Sequence, residues 1–143
     1  MFWCIKFIAI LFLSWFLYSC EPVYHADIKN DTDKELLLEL KFNKLTLEQH
    51  WKGLPYNDFL KSYPNNAQAH LIKHDSLENK NYYLIPAKTS FPLERGIGTK
   101  PTYDLFEYLK IIGSDTFKLM NRKAIEDAFT KIDKRRWELN IAK

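Results

Sequence analysis

The sequence predicts a mainly β protein, specifically an antiparallel β-sandwich with short helical insertions. Two observations lead to this class. Roughly six short segments alternate apolar and polar side chains, which is the pattern of strands with one buried face. Clusters of Asn, Asp, Gly, Ser and Pro separate these segments and supply turn chemistry. Helical patterns occupy only short intervals, so we expect helices as insertions between the strands of two packed sheets.

The first strand is predicted over residues 23–30, where every second side chain is apolar. A turn over residues 30–33 follows, because Asn and Asp side chains bond to nearby backbone groups and tolerate unusual dihedral angles. Residues 35–42 alternate again and place four apolar side chains on one face, Leu36, Leu38, Leu40 and Phe42. A short turn between two alternating segments predicts that these strands pair as an antiparallel hairpin.

Residues 43–80 depart from the strand pattern. Thr46 begins a capping-box spacing, so we expect a short helix from there to Gly53, and a further helical turn within residues 55–64. The apolar residues of 67–79 fit neither the helical nor the strand period. Long insertions between strands are more often functional or mobile than plain connections. This interval is therefore the best place to look for a ligand or a partner.

Strand patterns resume in the second half of the chain. Residues 81–86 and 90–98 alternate, and Pro92 within the second segment indicates an edge strand or an irregular one. The spacing of Leu105, Leu109 and Ile112 would suit a helix over residues 104–112, whereas residues 109–121, with Gly, Ser and Asp at 113–115, have the pattern of a hairpin. We expect a short helical turn followed by a strand.

The last predicted elements are a short helix and a closing strand. Residues 124–129 carry apolar side chains four apart, with Asn121 near the expected helix start. The final segment alternates and directs three apolar side chains inward, those of Trp137, Leu139 and Ile141. A core built from these strands needs no disulfide, because the aromatic content of the chain is 15% and aromatic side chains bury large apolar areas.

An apolar run near the N-terminus sets the expected destination of the chain. Residues 7–18 are apolar apart from Ser14, and Lys6 precedes them. This is the pattern of a secretory leader. A run of about 12 residues is shorter than the ~20 needed to cross a bilayer as a helix, so we interpret it as a signal segment.

The run ends in the tetrapeptide LYSC at residues 17–20, which resembles the lipobox of bacterial lipoproteins. Three of the four positions match, and Tyr18 stands where a small residue is usual. The resemblance implies transfer of a diacylglyceryl group to the Cys20 thiol and cleavage before it, with acyl chains such as palmitate as the anchor. We expect a lipoprotein signal peptide over 1–19 and a single β-sandwich domain over 20–143. An uncleaved anchor and an ordinary cleavage site are the alternatives.

The order of elements also resembles small uncharacterised lipoproteins of Bacteroidota. The shared pattern is a leader ending in Cys, an I-x-N-x-T opening formed by Ile28, Asn30 and Thr32, and a closing strand that carries Trp137. The resemblance implies a place in the bacterial cell envelope, with lipid in a membrane and the domain in the periplasm or at the cell surface. It implies no known activity.

Candidate catalytic and metal-binding groups are sparse in the expected mature chain. Cys4 lies in the leader and Cys20 is the expected lipid site, so no thiol remains for a disulfide, a metal or catalysis. His70 and His74 have the spacing of zinc ligands on a helix face, but the zincin Glu is missing and two surface histidines explain the pair better. No nucleophile elbow or glycine-rich phosphate loop occurs. We therefore expect no catalytic residue, metal or cofactor.

Four aromatic residues of the insertion are the candidate partner-binding residues, Trp51, Tyr56, Phe59 and Tyr63. Core packing under a loop is the alternative explanation for them. Four basic residues near the C-terminus are explained better by a solvated turn than by contact with anionic headgroups, Lys131, Lys134, Arg135 and Arg136. The net charge is +3 with bases and acids interleaved, so nucleic acid is not an expected partner.

These observations favour a lipid-anchored, non-enzymatic binding or structural module of the bacterial envelope. Its expected partners are the membrane, through the lipid, and an envelope protein or glycan that the sequence does not specify. The alternative is an envelope hydrolase, metal-dependent or otherwise. The two classes differ in one structural property, because a hydrolase needs a cleft with converging polar groups, whereas a binding module presents an apolar or aromatic surface.

Overall fold

The chain forms two facing β-sheets, which confirms the predicted mainly β sandwich with short helices. The computed structural model describes residues 22–64 and 70–142. Its strands are β1 (Val23–Asn30), β2 (Leu36–Phe42), β3 (His70–Asp75), β4 (Lys80–Ile85), β5 (Ser90–Ile97), β6 (Phe106–Ile112), β7 (Thr116–Leu119), β8 (Thr130–Asp133) and β9 (Arg136–Ile141). Its helices are α1 (Lys44–Trp51), α2 (Asn57–Ser62) and α3 (Arg122–Ala128).

The strands divide into a four-stranded and a five-stranded sheet. The first has the order β5-β1-β9-β8 and the second β3-β4-β2-β6-β7. Neighbouring strands are antiparallel except for β1 and β9, which pair in parallel. We call the end of the sandwich where β1 begins, at Val23, the entry end, and the end where β1 finishes, at Asn30, the exit end.

The core lies between the sheets and follows the predicted alternation. Every second residue of β1 and of β2 is buried, from Tyr24 to Asn30 and from Leu36 to Phe42. β4 contributes Tyr83 and Ile85, which are no more than 1% exposed. Burial of this kind is worth roughly 25 cal/mol per Å² of apolar surface, so the facing strand sides supply most of the stabilisation.

The predicted hairpin of the first two strands is wrong. β1 and β2 lie in different sheets, and residues 31–35 carry the chain from one sheet to the other. Alternation predicts which face of a strand is buried, but it does not predict the neighbouring strand. In a sandwich, the inner faces of both sheets line the same core, so strands of either sheet show the same alternation. The turn residues themselves are confirmed, because Thr32 donates to the Asn30 side-chain oxygen through its backbone N–H at 3.0 Å and through its hydroxyl at 2.7 Å.

Asn30 holds this crossing in place. Its side chain is fully buried, and its amide nitrogen lies 2.8 Å, 3.1 Å and 3.0 Å from the backbone oxygens of Lys34, Ile85 and Pro86. The crossing is thereby tied to the connection between β4 and β5. A buried amide with all its groups bonded specifies one arrangement, because any other leaves polar atoms unpaired.

α1 and α3 begin at asparagine caps, whereas Tyr56 precedes α2 without a side-chain cap. The side-chain oxygen of Asn43 accepts a hydrogen bond from the Thr46 N–H at 3.3 Å, so α1 begins three residues before the predicted capping box. Asn43 is therefore the N-cap, and Thr46 lies within the first turn of the helix. α1 ends at Trp51, followed by Gly53 at φ 84°, as predicted. Asn121 caps α3 in the predicted way, by accepting from the Ala124 N–H at 2.9 Å.

Two strands differ from simple alternation. β5 is an edge strand with a register shift opposite Pro92, which confirms the prediction from that proline. In β9, Leu139 is buried, but Trp137 is only half-buried and the Lys131 ammonium lies 5.4 Å from the centre of its ring. Trp137 therefore packs at the margin of the core, beside the short strand β8, and does not lie at the centre of the core.

Candidate functional site

A cavity of about 530 Å³ opens between the two sheets at the exit end. Its walls are apolar side chains from strands of both sheets, chiefly Leu36, Ile111, Phe117, Leu139 and Ile141. Leu36, Ile111 and Leu139 are at most 6% exposed, whereas Phe117 on the edge strand β7 is 42% exposed. The cavity thus has a fixed apolar floor and an aromatic side chain at its mouth.

Polar groups surround the mouth of the cavity. Asp31 accepts a hydrogen bond from the Asn140 side chain at 2.9 Å and forms an ion pair with Lys29 at 3.0 Å. These two contacts hold the pKa of the Asp31 carboxyl below its ordinary value. Asp33, on the same turn as Asp31, forms an ion pair at 3.0 Å with Lys88 of the connection between β4 and β5. The rim is therefore a set of paired charges that fixes the residues flanking the opening.

The size and lining of this cavity suit an apolar ligand. Small-molecule sites in proteins typically measure about 300–1,000 Å³ and combine an apolar wall with a few polar groups that orient the ligand. Ser114, Asp115 and Asn140 supply such groups at the rim. An apolar group placed against Phe117 and Ile141 would lose contact with water without leaving a polar atom unpaired.

The four candidate partner-binding aromatics come together in one cluster. Ring centres are 6.4 Å apart for Trp51 and Tyr56, 4.5 Å for Trp51 and Phe59, and 5.6 Å for Phe59 and Tyr63. All four rings are half-buried and pack against the core. Tyr63 continues the cluster inward, with its ring 5.3 Å from that of Phe42. The cluster has a packing role, and its role in partner binding stays a prediction.

A buried polar network fastens the helical insertion to β4. The Asn81 amide nitrogen lies 2.6 Å from the backbone oxygen of Leu60 in α2 and 2.6 Å from the Tyr83 hydroxyl. Tyr83 in turn donates to the backbone oxygen of Tyr63 at 2.6 Å. His74 contacts the Asn81 side-chain oxygen at 2.7 Å through Nδ1. The network explains why a residue of the insertion, His74, sits beside the core.

The two histidines considered as zinc ligands lie on β3, not on a helix. Residues four apart on a strand are separated by about 13 Å, so His70 and His74 cannot share one ion. Within residues 22–64 and 70–142, no group of three or more His, Cys, Asp or Glu side chains could hold a metal. This segment, whose apolar residues fitted neither period, is an edge strand that pairs with β4 through a shifted register, and the shift blurs its alternation.

A half-buried carboxylate organises the entry end. Glu94 accepts hydrogen bonds from the Tyr24 hydroxyl at 2.7 Å and from the backbone N–H groups of Thr102 and Tyr103 at 3.0 Å and 2.8 Å. Burial and the Glu94 carboxylate raise the pKa of Tyr24, and burial raises that of Tyr103. Both phenols stay protonated at neutral pH. The carboxylate thus fixes the loop between β5 and β6 by accepting hydrogen bonds.

Cys20, the expected lipid site, lies outside the described residues, as does the leader. The part of the chain that the structure covers contains no helix of the length and apolarity needed to cross a bilayer. Comparison with known protein families, curated proteins and solved structures yields no significant match to this chain.

Sequence reasoning did not find the cavity. Its wall combines residues from β2, from the β6–β7 hairpin and from β9, which are far apart in the chain and meet only through the sheet topology. One signal was present, namely Phe117 in a short strand next to a Gly-Ser-Asp turn, where an aromatic side chain has little sheet to cover it.

Proposed function

We propose that this protein is a lipid-anchored module of the bacterial cell envelope that binds an apolar ligand and catalyses no reaction. The apolar cavity at the exit end carries the binding part of the proposal, because its volume of about 530 Å³ and its lining match those of ligand sites. The ligand is a small apolar molecule or an apolar side chain of an envelope protein. The apolar wall suits such groups better than it suits a glycan.

The position of the cavity relative to the proposed anchor supports this view of the ligand. β1 has 8 residues and runs from the entry end to the exit end, a distance of about 25 Å. Cys20 precedes Val23 by three residues, so a lipid on Cys20 would hold the entry end at the membrane. The cavity would then open away from the bilayer, toward ligands in the aqueous space or on a facing protein.

The binding test uses N-phenyl-1-naphthylamine, a neutral apolar fluorophore whose emission rises in an apolar site. We expect saturable binding at one site per chain. Phe117→Asp should weaken it at least tenfold, because a carboxylate at the mouth must be desolvated when the probe enters. Met120→Asp is the matched control, since Met120 is 55% exposed near the end of the same strand and does not line the cavity.

Equal weakening by Phe117→Asp and Met120→Asp would argue against the cavity as the site, as would binding that does not saturate. Thermal melts of both variants verify that each is folded. The probe binds without any reaction, so a hydrolytic activity found in the purified protein would be a separate result and would favour the enzyme alternative.

The anchoring part of the proposal is tested by Cys20→Ala. We expect the wild-type chain to partition into the membrane fraction and to carry acyl mass on a mature N-terminus at Cys20, as measured by mass spectrometry. The variant should carry no acyl mass and no mature N-terminus at residue 20, because the cleavage before this position follows the transfer of lipid to its thiol. In the wild type, each buried CH₂ of an acyl chain contributes ~0.8 kcal/mol, and stable anchoring needs more than one chain. Cys4→Ala is the control, and an unmodified Cys20 thiol in the wild-type protein would refute lipidation.

A further inference from the structure

We propose that the entry end is a membrane-docking surface that binds the anionic headgroups of the leaflet holding the anchor. This inference rests on the proposed lipidation of Cys20. It adds a second, electrostatic contact between the folded domain and the bilayer, made by side chains that the register of the four-stranded sheet brings together.

The surface begins with an apolar pair at the edge of the sheet. Val23 of β1 lies directly opposite Ile97 of β5, and both point to the outer face because Tyr24 points to the core. Val23 is 46% exposed and Ile97 is 68% exposed. Two neighbouring apolar side chains at a domain tip can enter the headgroup region, where exposed hydrophobic groups are stabilised.

A row of basic side chains lies immediately behind that pair. His25 is the register partner of Arg95 on one side and of Arg136 on the other, so three basic residues lie side by side across three adjacent strands. The β8–β9 turn adds Lys134 and Arg135, because the His25 N–H donates to the Arg135 backbone oxygen at 2.9 Å. All of these side chains except His25 are exposed.

Acidic groups near this row neutralise only part of its charge. Asp27 lies 3.9 Å from the Arg136 guanidinium, and the Asp133 side chain accepts from the Lys134 backbone N–H at 2.6 Å. The guanidinium of Arg95 and the ammonium of Lys134 remain on the exposed surface. The basic run that the sequence alone attributed to a solvated turn is thus joined, by the fold, to Arg95 and to an apolar tip.

The proposed tether brings this surface to the bilayer. Val23 lies three positions after Cys20, a span of at most about 11 Å, and His25 follows within about 7 Å. The basic row is therefore at most about 18 Å from Cys20, and a tilt of the domain toward the bilayer brings it within about one Debye length of the headgroups, where each basic side chain favours an anionic surface about fivefold. An apolar tip with a basic row behind it matches the chemistry of an anionic bilayer surface.

The test uses the full lipidated chain reconstituted on phosphatidylcholine vesicles, with or without about one third phosphatidylglycerol. Tryptic cleavage after Lys134 and Arg135 is followed by mass spectrometry. We expect cleavage at this turn to be at least tenfold slower on the anionic vesicles and to recover at high salt. Cleavage after Lys34, at the exit end, should be equally fast on both.

A variant that leaves the cleavage sites intact separates docking from local stability. Arg95→Glu combined with Ile97→Asp should restore fast cleavage at the turn on anionic vesicles, whereas Ser114→Glu, an exposed substitution at the exit end, should not. Both variants change exposed side chains, so circular dichroism melts should match the wild type.

The outcomes distinguish this proposal from the anchoring proposal. A chain that does not float with phosphatidylcholine vesicles refutes the anchor. A chain that floats but is cleaved equally on both vesicle types, or is protected equally on both, overturns the recognition of anionic headgroups. Protection that persists in the Arg95→Glu, Ile97→Asp variant overturns the assignment of the surface.

Discussion

Replacing Asn30 by Asp is expected to lower the free energy of unfolding by about 4 kcal/mol or more, a large share of the 5–15 kcal/mol of a typical domain. The substitution keeps the shape of the side chain and its acceptor oxygen for Thr32. It replaces the amide nitrogen by an oxygen that faces the carbonyl oxygens of Lys34, Ile85 and Pro86. Those acceptors lose their donor, and a carboxylate in this fully buried position must either stay charged or take up a proton.

Urea denaturation followed by tryptophan fluorescence measures this effect. The matched control is Asn43→Asp, which makes the same chemical change at the cap of α1, where Asp serves as well as Asn. We expect the control to change the unfolding free energy by less than about 0.5 kcal/mol. Similar small changes in the two variants would contradict the role assigned to the Asn30 network.

Replacing Asn81 by Ala is expected to cost about 3 kcal/mol and to loosen one region more than the rest. Asn81 is fully buried, and its loss leaves the Leu60 backbone oxygen, the Tyr83 hydroxyl and His74 without that partner. Unpaired buried polar groups cost about 1–3 kcal/mol each, partly relieved by rearrangement. Because Leu60 belongs to α2, the helical insertion should open before the sheets do.

Hydrogen exchange read by mass spectrometry tests this regional effect. We expect faster exchange in α1 and α2 of Asn81→Ala, with strands β1 and β9 changed only as far as global stability falls. Asn57→Ala, an exposed substitution within α2, is the control and should leave exchange in the insertion nearly unchanged. Uniformly faster exchange along the chain of Asn81→Ala would show that the network does not specifically hold the insertion.

Local sequence patterns predicted the positions of most strands, but they did not predict which strands pair with one another. Alternation in β1, β2 and β4 identified the buried side chains, because one face of a sandwich strand always meets the core. β3 and β8 were missed because edge strands bury little, and β8 is exposed along its whole length. The pairing of β1 with β9 joins residues more than a hundred positions apart, and no local signal encodes such a contact.

The candidate sites show the same division. The aromatic residues of the insertion were recognised by type and are indeed clustered, because the short connection between α1 and α2 brings Trp51 at the end of one helix against Phe59 of the next. The cavity was missed because its lining comes from several strands of both sheets, and no single segment of the sequence contains it. The basic run at 131–136 was recognised, but its joining to Arg95 and Ile97 depends on the order of strands in the sheet.

The parallel pairing of the first and last strands also constrains how the chain reaches its native state. β1 is an interior strand whose neighbours are β5 and β9, so it keeps one unpaired edge until the last strand is available. Contacts of such long sequence separation slow folding, because loop-closure entropy is lost before the contact forms. If the chain is exported N-terminus first, β1 emerges first and its partner β9 emerges last. During that interval the unpaired edge of β1 is a site for pairing with other chains.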